Sequence, residues 1–366
     1  MSNYSQTHQS KINTGSFFED FSIGQEIQHA TPRTIGEGEV ALYIALTGAR
    51  QVVHSSEPLA QSLGYKSRPV DDLLAFHIAF GKTVPDISVN AVANLGYADV
   101  RFLHPIYIGD TLSTHSTVIG LKQNSSGKSG VVYVRSVAFN QLHQPVISWV
   151  RWVMVHKNDL NTPAPEAMVP DLPAFVPAEQ LSVPVFLNVR KFDTSFTGGQ
   201  HLWDDYTVGE RINHPAGMTI SDTDHTLATK LYQNNARLHF DDLMMKQSTF
   251  GRRLMYGGHM ISLCRALSYD GLENALTIVA INAGTHCNPT LGDDTIYTWT
   301  EVLDKWEIVG RTDIAALRLR MIAVKNMTAD SLPGAHIADG GKKMYHPNVV
   351  LDLDYTVLMP RRLTNK

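Results

Sequence analysis

Four long segments of the chain have an alternating or β-branched pattern of apolar positions, which predicts β-strands. They fall into two pairs, one in each half of the chain: SGVVYVRSVAFN and PVISWVRWVMVH at residues 129–140 and 145–156, and IAALRLRMIAVKN and NVVLDLDYTVLM at residues 314–326 and 348–359. The pattern therefore predicts a meander of antiparallel strands in each half.

One further apolar segment in each half has the period of a helix instead. Near residues 73–80, apolar side chains recur at i, i+3 and i+7 (Leu73, Phe76 and Phe80). In the second half, a helix is predicted to begin after YGGH at residues 256–259, with apolar positions at i, i+3, i+4 and i+7 (Met260, Leu263, Cys264 and Leu267). A central helix wrapped by an antiparallel sheet is an α+β pattern.

The two halves are copies of one another. Residues 18–54 align without a gap with residues 203–239 at a constant offset of 185, and nine of the 37 positions are identical, including His54 with His239. The likeness resumes at residues 105–118 and 289–302, where PIYIGDTLSTHSTV meets PTLGDDTIYTWTEV at an offset of 184. A register held over this length predicts a duplicated domain.

The segment between the copies is rich in proline. Residues 159–184 contain six prolines, which remove backbone donors and favour an extended, semi-rigid connector. We therefore predict an N-terminal repeat at residues 17–158, a linker at 159–190 and a C-terminal repeat at 191–362. The length of 366 residues suits two domains.

Composition and charge argue against several classes of function. The net charge of -4 and the absence of runs of Lys or Arg disfavour nucleic acid as a partner. Nothing in the sequence approaches the 18 or more apolar residues of a membrane span, and the first 16 residues lack the apolar stretch of a signal peptide. We expect a disordered leader, a fold that begins near Phe17, and a cytoplasmic protein.

The two cysteines, Cys264 and Cys287, have neither the spacing of a disulfide framework nor that of a zinc site. We therefore expect no metal. This pattern fits a reducing compartment.

One polar stretch, YQNNARLHFDD at residues 232–242, places a histidine five positions after an asparagine in a segment predicted to be helical. Its first-half counterpart lies in ALYIALTGARQVVHSSEPLAQSLGYKSRPV at residues 41–70. Both resemble the hydratase signature of MaoC-like (R)-enoyl-CoA hydratases, as does GDTL at residues 109–112 followed by an alternating strand. The resemblance implies a tandem, or double, hot dog fold.

Longer segments resemble a two-repeat subgroup of this family that acts on mesaconyl-CoA. These are FEDF, HATPRT, PVDDLLAFHIAFGKTVPDISVNAVANLGYADVRF and YGGHMISLCRALSYDGL, within a likeness that covers roughly residues 17–158 and 200–310. It implies reversible addition of water to the double bond of a branched dicarboxylic acyl-CoA. The resemblance implies neither a metal nor a redox cofactor. Coenzyme A is part of the substrate and is not counted as a cofactor.

Hydration of an enoyl thioester needs a base for the water and donors for the thioester oxygen. In the family signature an Asp and a His hold the water; Asn234 and His239 stand in these positions in the C-terminal copy, and Ala49 and His54 in the N-terminal copy. An amide orients water but cannot exchange a proton in this role, so His239 is the predicted base. Asp241 could fix the tautomer of this imidazole, or a carboxylate from elsewhere could complete the pair.

The family is expected to hold the thioester oxygen with a backbone N–H at the start of the central helix, where glycine allows close approach. Gly257 and Gly258 occupy this place in the C-terminal copy, although a glycine pair is also a common turn before a helix. Asp72 and Leu73 occupy it in the N-terminal copy, where a carboxylate would repel an enolate. We therefore expect the C-terminal copy to carry the chemistry and the N-terminal copy to shape the acyl or CoA pocket.

Five residues are candidates for binding the substrate, and Asp241 is one of them. Arg237 and Arg253 are the nearest partners for a free carboxylate. His54 and Asp72 are further candidates, with a duplication relic and a helix cap as the respective structural alternatives.

Two other functions remain compatible with the sequence. A hot dog acyl-CoA thioesterase would use the same fold, and a non-catalytic acyl-CoA binding protein would explain the missing Asp. Two fused repeats can replace the usual homodimer within one chain, while a further homodimer stays open.

Overall fold

The computed structural model describes residues 11–339 and 342–363. Of the predicted leader, residues 1–10 lie outside this part of the chain. The end of the leader is packed, because the Asn90 side-chain amide donates hydrogen bonds to the carbonyl oxygens of Thr14 (3.0 Å) and Ser16 (3.3 Å). The prediction of disorder up to residue 16 is therefore wrong for these last residues.

The N-terminal repeat has one strand, a helical segment and four long strands. In chain order these are β1 (Glu26–Thr34), α1 (Glu37–Thr47), α2 (Val52–Ser55), α3 (Glu57–Ser62), α4 (Asp72–Gly81), α5 (Val84–Ile87), β2 (Ala91–Phe102), β3 (Thr111–Gln123), β4 (Ser129–Phe139) and β5 (Pro145–His156).

The C-terminal repeat follows the same plan, with one small hairpin inserted. Its elements are β6 (Arg211–Asn213), β7 (Met218–Thr219), α6 (Asp222–Leu231), α7 (Asp242–Met245), α8 (Gly257–Leu267), β8 (Thr277–His286), β9 (Thr295–Glu307), β10 (Ile314–Lys325), β11 (His336–Asp339), β12 (Lys342–Tyr345) and β13 (Val349–Pro360). The inserted strands β11 and β12 pair only with each other.

The long strands of both repeats form one antiparallel sheet. Its order is β1-β3-β4-β5-β2-β8-β13-β10-β9-β6, with β7 also paired to β9. The repeats join through β2 and β8, where Tyr97 lies opposite Gly284 and Arg101 opposite Ala280. The edges of the two half-sheets, β2 and β8, are thus paired with each other within one chain. The predicted α+β class is confirmed.

The central helices α4 and α8 lie side by side against this sheet. The His77 Nε2 atom is 2.9 Å from the Ser262 Oγ atom, and these two residues are equivalent positions of the repeats. Every residue from Leu73 to Gly81 is buried, because α4 is covered by the sheet on one side and by α8 on the other. The Asp71 carboxylate accepts a hydrogen bond from the Leu73 N–H at 2.9 Å and so caps α4.

Two local predictions are wrong. Helix α8 begins at Gly257 rather than after residue 259. The segment 232–242 is not one helical run: α6 ends at Leu231, Gln233 has a positive φ of 55°, and a short 3₁₀ turn covers Arg237–His239. The left-handed backbone at Gln233 interrupts the helix and redirects the chain.

The proline-rich linker lies along the protein rather than apart from it. Met168 pairs with Leu121 of β3, and the Val176 N–H donates to the Asn282 side-chain oxygen at 2.9 Å. Leu187 and Val189 are buried. Among the described residues no helix is long and apolar enough to cross a membrane.

Candidate active site

A cavity of about 300 Å³ lies between the two repeats. The C-terminal repeat contributes Asn234, His239, the start of α8 and the end of β8, whereas the N-terminal repeat contributes parts of α4, α5, β2 and β5. Most of the wall is apolar. No Asp or Glu of the described residues lines this cavity, so the group that replaces the family's Asp there is not a carboxylate.

The turn after α6 sets the position of His239. The Asn234 side-chain oxygen accepts a hydrogen bond from the Ala236 N–H at 3.0 Å, which stabilises the turn. Gly81 of α4 packs against this turn, where an added Cβ would collide with the Tyr232 carbonyl oxygen. Asn234 lines both this cavity and the neighbouring surface groove, and its Nδ2 group has no hydrogen-bond partner among the described residues.

The hydrogen bonds of His239 define its tautomer. Its Nδ1 atom lies 2.9 Å from the Leu254 carbonyl oxygen, which can only accept, so the proton is on Nδ1 and Nε2 is an acceptor. Burial lowers the pKa of His239 to about 4, although the Leu254 carbonyl acts in the opposite direction. His239 is therefore a neutral base at neutral pH, and Leu254, not Asp241, fixes its tautomer.

The first turn of α8 supplies unpaired donors at the cavity wall. Tyr256 at the N-cap provides no side-chain cap, and the N–H groups of Gly257 and Gly258 have no acceptor within the described part of the chain. Unpaired amides at a helix N-terminus favour negative charge. A Cβ at Gly257 would lie 2.5 Å from the His286 ring, so only glycine allows the α8 backbone to lie this close to the ring.

Two residues that sequence analysis missed also line the cavity, His286 and Arg151. His286 ends β8, its Nε2 atom is 3.2 Å from the Tyr97 hydroxyl, and burial lowers the pKa of His286 to about 4. Arg151 lies in the middle of β5 and is fully buried. A single arginine inside the apolar run VISWVRWVMV was the available signal for Arg151, whereas His286 has no such signal.

The N-terminal repeat fills the equivalent site with its own side chains. The His54 Nδ1 atom is 3.3 Å from the Pro69 carbonyl oxygen, which corresponds to the contact of His239 with Leu254. The His54 Nε2 atom, however, lies 3.3 Å from the Asp72 carboxylate. That carboxylate also accepts from the Thr277 hydroxyl at 2.7 Å and the Ile278 N–H at 2.8 Å.

The protonation of His54 is opposite to that of His239. Burial acts to lower the pKa of His54, but the Asp72 carboxylate, with smaller contributions from Asp71 and the Pro69 carbonyl, outweighs it and raises the pKa to about 9. The space beside His54 is only about 30 Å³. An imidazolium paired with a carboxylate cannot take a proton from water, and the space beside His54 is too small for the acyl chain of a substrate.

The other predicted residues lie outside the cavity lining. The Asp241 carboxylate caps α7 through the Met244 N–H at 2.9 Å. Arg253 donates to the Thr226 hydroxyl at 3.0 Å, and Arg237 is exposed in a neighbouring surface groove. The structure thus brings His239, Asn234 and Gly257 to one cavity, whereas Gly258, the next residue of α8, is buried and is not among the residues that line it. Among the described residues, no group of three or more His, Cys, Asp or Glu could hold a metal ion.

Comparison with known proteins identifies relatives over nearly the whole chain. Residues 19–139 match the sequence profile of the MaoC-like domain. The chain is 56% identical over 352 residues to a β-methylmalyl-CoA dehydratase of Chloroflexus aurantiacus, covering 96% of this chain and 99% of the relative. It is 51% identical over 351 residues to a mesaconyl-CoA hydratase of Cereibacter sphaeroides, covering 96% and 100%.

Two solved structures confirm the fold. A MaoC domain protein dehydratase from Chloroflexus aurantiacus has a TM-score of 0.93 at 56% identity, covering 97% of this chain and 100% of that chain. A Mycobacterium tuberculosis protein described as having a double hotdog fold has a TM-score of 0.74 at 24% identity, covering 94% and 99%. The predicted double hot dog fold is therefore confirmed.

Proposed function

Because this chain belongs to the family of MaoC-like domain proteins, we propose that it adds water reversibly to mesaconyl-CoA to give β-methylmalyl-CoA. Two relatives that match it over nearly their full length are named for the two directions of this reaction. The observation that carries the proposal is that the neutral imidazole of His239 and the unpaired helix-end amide of Gly257 belong to residues that line one cavity, with no carboxylate among its described lining residues.

The first step requires a base beside the β-carbon of the enoyl group. The unprotonated Nε2 atom of His239 takes a proton from water, whose oxygen forms the new bond to the β-carbon. The unpaired Nδ2 group of Asn234 donates a hydrogen bond to that water and orients it. Asn234 is thus a positioning residue for the water, and His239 is the proton acceptor.

The electron pair of the double bond moves to the thioester oxygen during this addition. The N–H groups of Gly257 and Gly258 stabilise that negative charge together with the positive end of the α8 dipole. His239, now an imidazolium, then donates its proton to the α-carbon, and the thioester carbonyl reforms. Dehydration follows the same steps in reverse.

The N-terminal repeat takes part by shaping the cavity. Its own histidine, His54, is paired with Asp72 and leaves little space beside it, so we assign the chemistry to the C-terminal repeat. We propose no cofactor, because addition of water is redox-neutral and these groups supply the base and the oxyanion donors. A cytoplasmic location and a possible homodimer stay predictions.

The test is to incubate the purified protein with mesaconyl-CoA and to follow the loss of conjugated enoyl-thioester absorbance, with identification of the product by mass. We expect hydration without release of free thiol, and its loss in His239→Gln. Release of thiol without a hydrated thioester would identify a thioesterase instead. Tight binding without turnover would identify a binding protein.

A further inference from the structure

Arg151 carries a positive charge into a cavity where nothing in the described structure neutralises it. Its side chain is fully buried and lines the same cavity as His239. The guanidinium donates to the Thr83 hydroxyl at 2.8 Å and to the Ser88 hydroxyl at 3.3 Å. Its Nε atom is buried without an acceptor, and no carboxylate of the described residues lies within ion-pair distance.

A buried guanidinium without an anion is costly, because hydroxyl groups replace only part of its hydration. Burial lowers the pKa of Arg151 to about 10, so it remains a cation at neutral pH. A planar cation with fixed donors is the group that binds a carboxylate through two parallel hydrogen bonds. Its surroundings therefore fit an anionic ligand.

The fold itself does not require an arginine at this position. Arg151 pairs with Tyr97 of β2 and Val134 of β4. At the equivalent register of the C-terminal repeat, Tyr355 pairs with Ile281 and Leu319. These two partners lie 184 positions after Tyr97 and 185 positions after Val134. Tyr355 is equally buried and uncharged, so the sheet accepts a neutral side chain here.

Two further residues of the same cavity lining carry unpaired polar groups. Both side-chain polar atoms of Asn94 and the hydroxyl of Tyr256 are buried without hydrogen-bond partners, and both residues line the cavity. The Tyr256 ring lies 5.6 Å from the His239 ring and 6.1 Å from the Phe80 ring, and the Arg151 guanidinium lies 4.3 Å above Phe80. Two aromatic rings, those of Tyr256 and Phe80, therefore connect the proposed base to the Arg151 guanidinium.

We propose that Arg151, together with Asn94 of the same cavity lining, binds the free carboxylate of a dicarboxylic acyl-CoA and so selects this substrate class over monocarboxylic thioesters. The inference rests on the proposed function, since it assigns the group that recognises the second carboxylate of the substrate. In mesaconyl-CoA this carboxylate is attached to the β-carbon, so its position also fixes the carbon that water attacks. The absence of Asp and Glu from the described cavity lining leaves this positive charge uncompensated by the protein.

The test compares two saturated thioesters that cannot be hydrated, succinyl-CoA and butyryl-CoA. They share a four-carbon acyl chain, and only the first ends in a carboxylate. We expect the wild-type protein to bind succinyl-CoA more tightly in calorimetric titrations. In Arg151→Met, affinity for succinyl-CoA should fall by about 30-fold or more, as for loss of one partner of a buried charge pair, while affinity for butyryl-CoA stays within about threefold.

Matched variants separate recognition from folding. Tyr355→Phe changes the equivalent register position outside the cavity and should leave both affinities unchanged. Asn94→Leu replaces a buried unpaired amide by an apolar group of similar size, which preserves folding, and it should reduce the preference for succinyl-CoA severalfold. If Arg151→Met does not fold, the preference of Asn94→Leu for succinyl-CoA over butyryl-CoA tests the proposal in its place.

Equal weakening of both ligands in Arg151→Met, or a wild-type protein without preference, would overturn the assignment. Because binding needs no turnover, a preference lost in Arg151→Met in a protein that fails to hydrate mesaconyl-CoA would support Arg151 and reject the proposed reaction. Hydration of mesaconyl-CoA by the wild type, with an unchanged preference for succinyl-CoA in Arg151→Met, would support the proposed reaction and reject the role of Arg151.

Discussion

The His54 imidazole lies 3.3 Å from the Asp72 carboxylate, and this pair occupies in the N-terminal repeat the place that His239 and Gly257 occupy in the C-terminal repeat. The same fold position therefore holds an ion pair in one repeat and an open base with unpaired amides in the other. The carboxylate that stands in place of a glycine at the start of the central helix is the largest contribution to the raised pKa of His54, and it also lines the small space beside this histidine.

The ion pair should make the stability of the protein depend on pH. The pKa of His54 is raised to about 9 in the folded state from about 6.5 in the unfolded chain. Its stabilisation is thus complete below about pH 6.5 and lost as pH rises through about 9, on the order of 3 kcal/mol in the free energy of unfolding. Denaturant unfolding of the wild type between pH 6 and 10 should show this decline.

The matched variant is Asp72→Asn, which keeps an acceptor for Thr277 and Ile278 but removes the charge. Asp71 also acts on His54 and remains, so a small part of the decline should persist. A decline of equal size in the wild type and in the variant would show that other groups cause it.

The rate of hydration should depend on pH through His239 at an unusually acidic value. Burial lowers the pKa of His239 to about 4, and the base is active only when unprotonated. We therefore expect kcat/KM to stay constant from about pH 6 to 8 and to fall only as pH drops towards 4. A midpoint near the ordinary histidine value of about 6.5 would contradict the buried, neutral base.

Replacement of the two equivalent histidines should separate their roles. His239→Gln should lower kcat by about a thousandfold, within the range for loss of a general base. His54→Gln should lower the midpoint of thermal unfolding but leave kcat and its pH profile nearly unchanged. Similar losses of kcat in both variants would mean that the N-terminal site also carries chemistry.

The duplication explains how far the sequence leads. Because the repeats align at a constant offset, the sequence alone pairs His239 with His54 and Gly257 with Asp72. The structure places the members of each pair at equivalent positions, with Leu254 and Pro69 as equivalent acceptors.

What the sequence could not show is the contribution of one repeat to the cavity of the other. Arg151 lies 88 positions before His239 in the printed sequence and reaches the cavity only because β2 pairs with β8 and joins the two halves of the sheet. Arg237 and Arg253 are the arginines nearest to His239 in the sequence and were therefore the predicted partners of the free carboxylate, but both lie outside the cavity lining.

The position of Gly257 should tolerate no side chain. A Cβ there would lie 2.5 Å from the His286 ring, so Gly257→Ala must displace either the ring or the start of α8. We expect kcat/KM for mesaconyl-CoA to fall by about a hundredfold, since a shift of about 1 Å at a reacting group has an effect of this size. Gly38→Ala is the control, because Gly38 lies in α1 with nothing within 4 Å of an added Cβ; equal activity of the two variants would contradict a close approach at Gly257.

Asn234 stands where the family signature has an aspartate, and the reverse substitution tests what this change does to the base. In Asn234→Asp, a side-chain oxygen can still accept from the Ala236 N–H, so the turn should be preserved. The new carboxylate would line the same cavity as His239 and favour the protonated form of His239, so the acid limb of kcat/KM should move upward by about one pH unit or more.

Asn235→Asp is the matched control, because Asn235 is exposed and lines the neighbouring groove but not the cavity. An equal shift in both variants would indicate a general effect of charge, whereas no shift in Asn234→Asp would place Asn234 too far from His239 to orient its water.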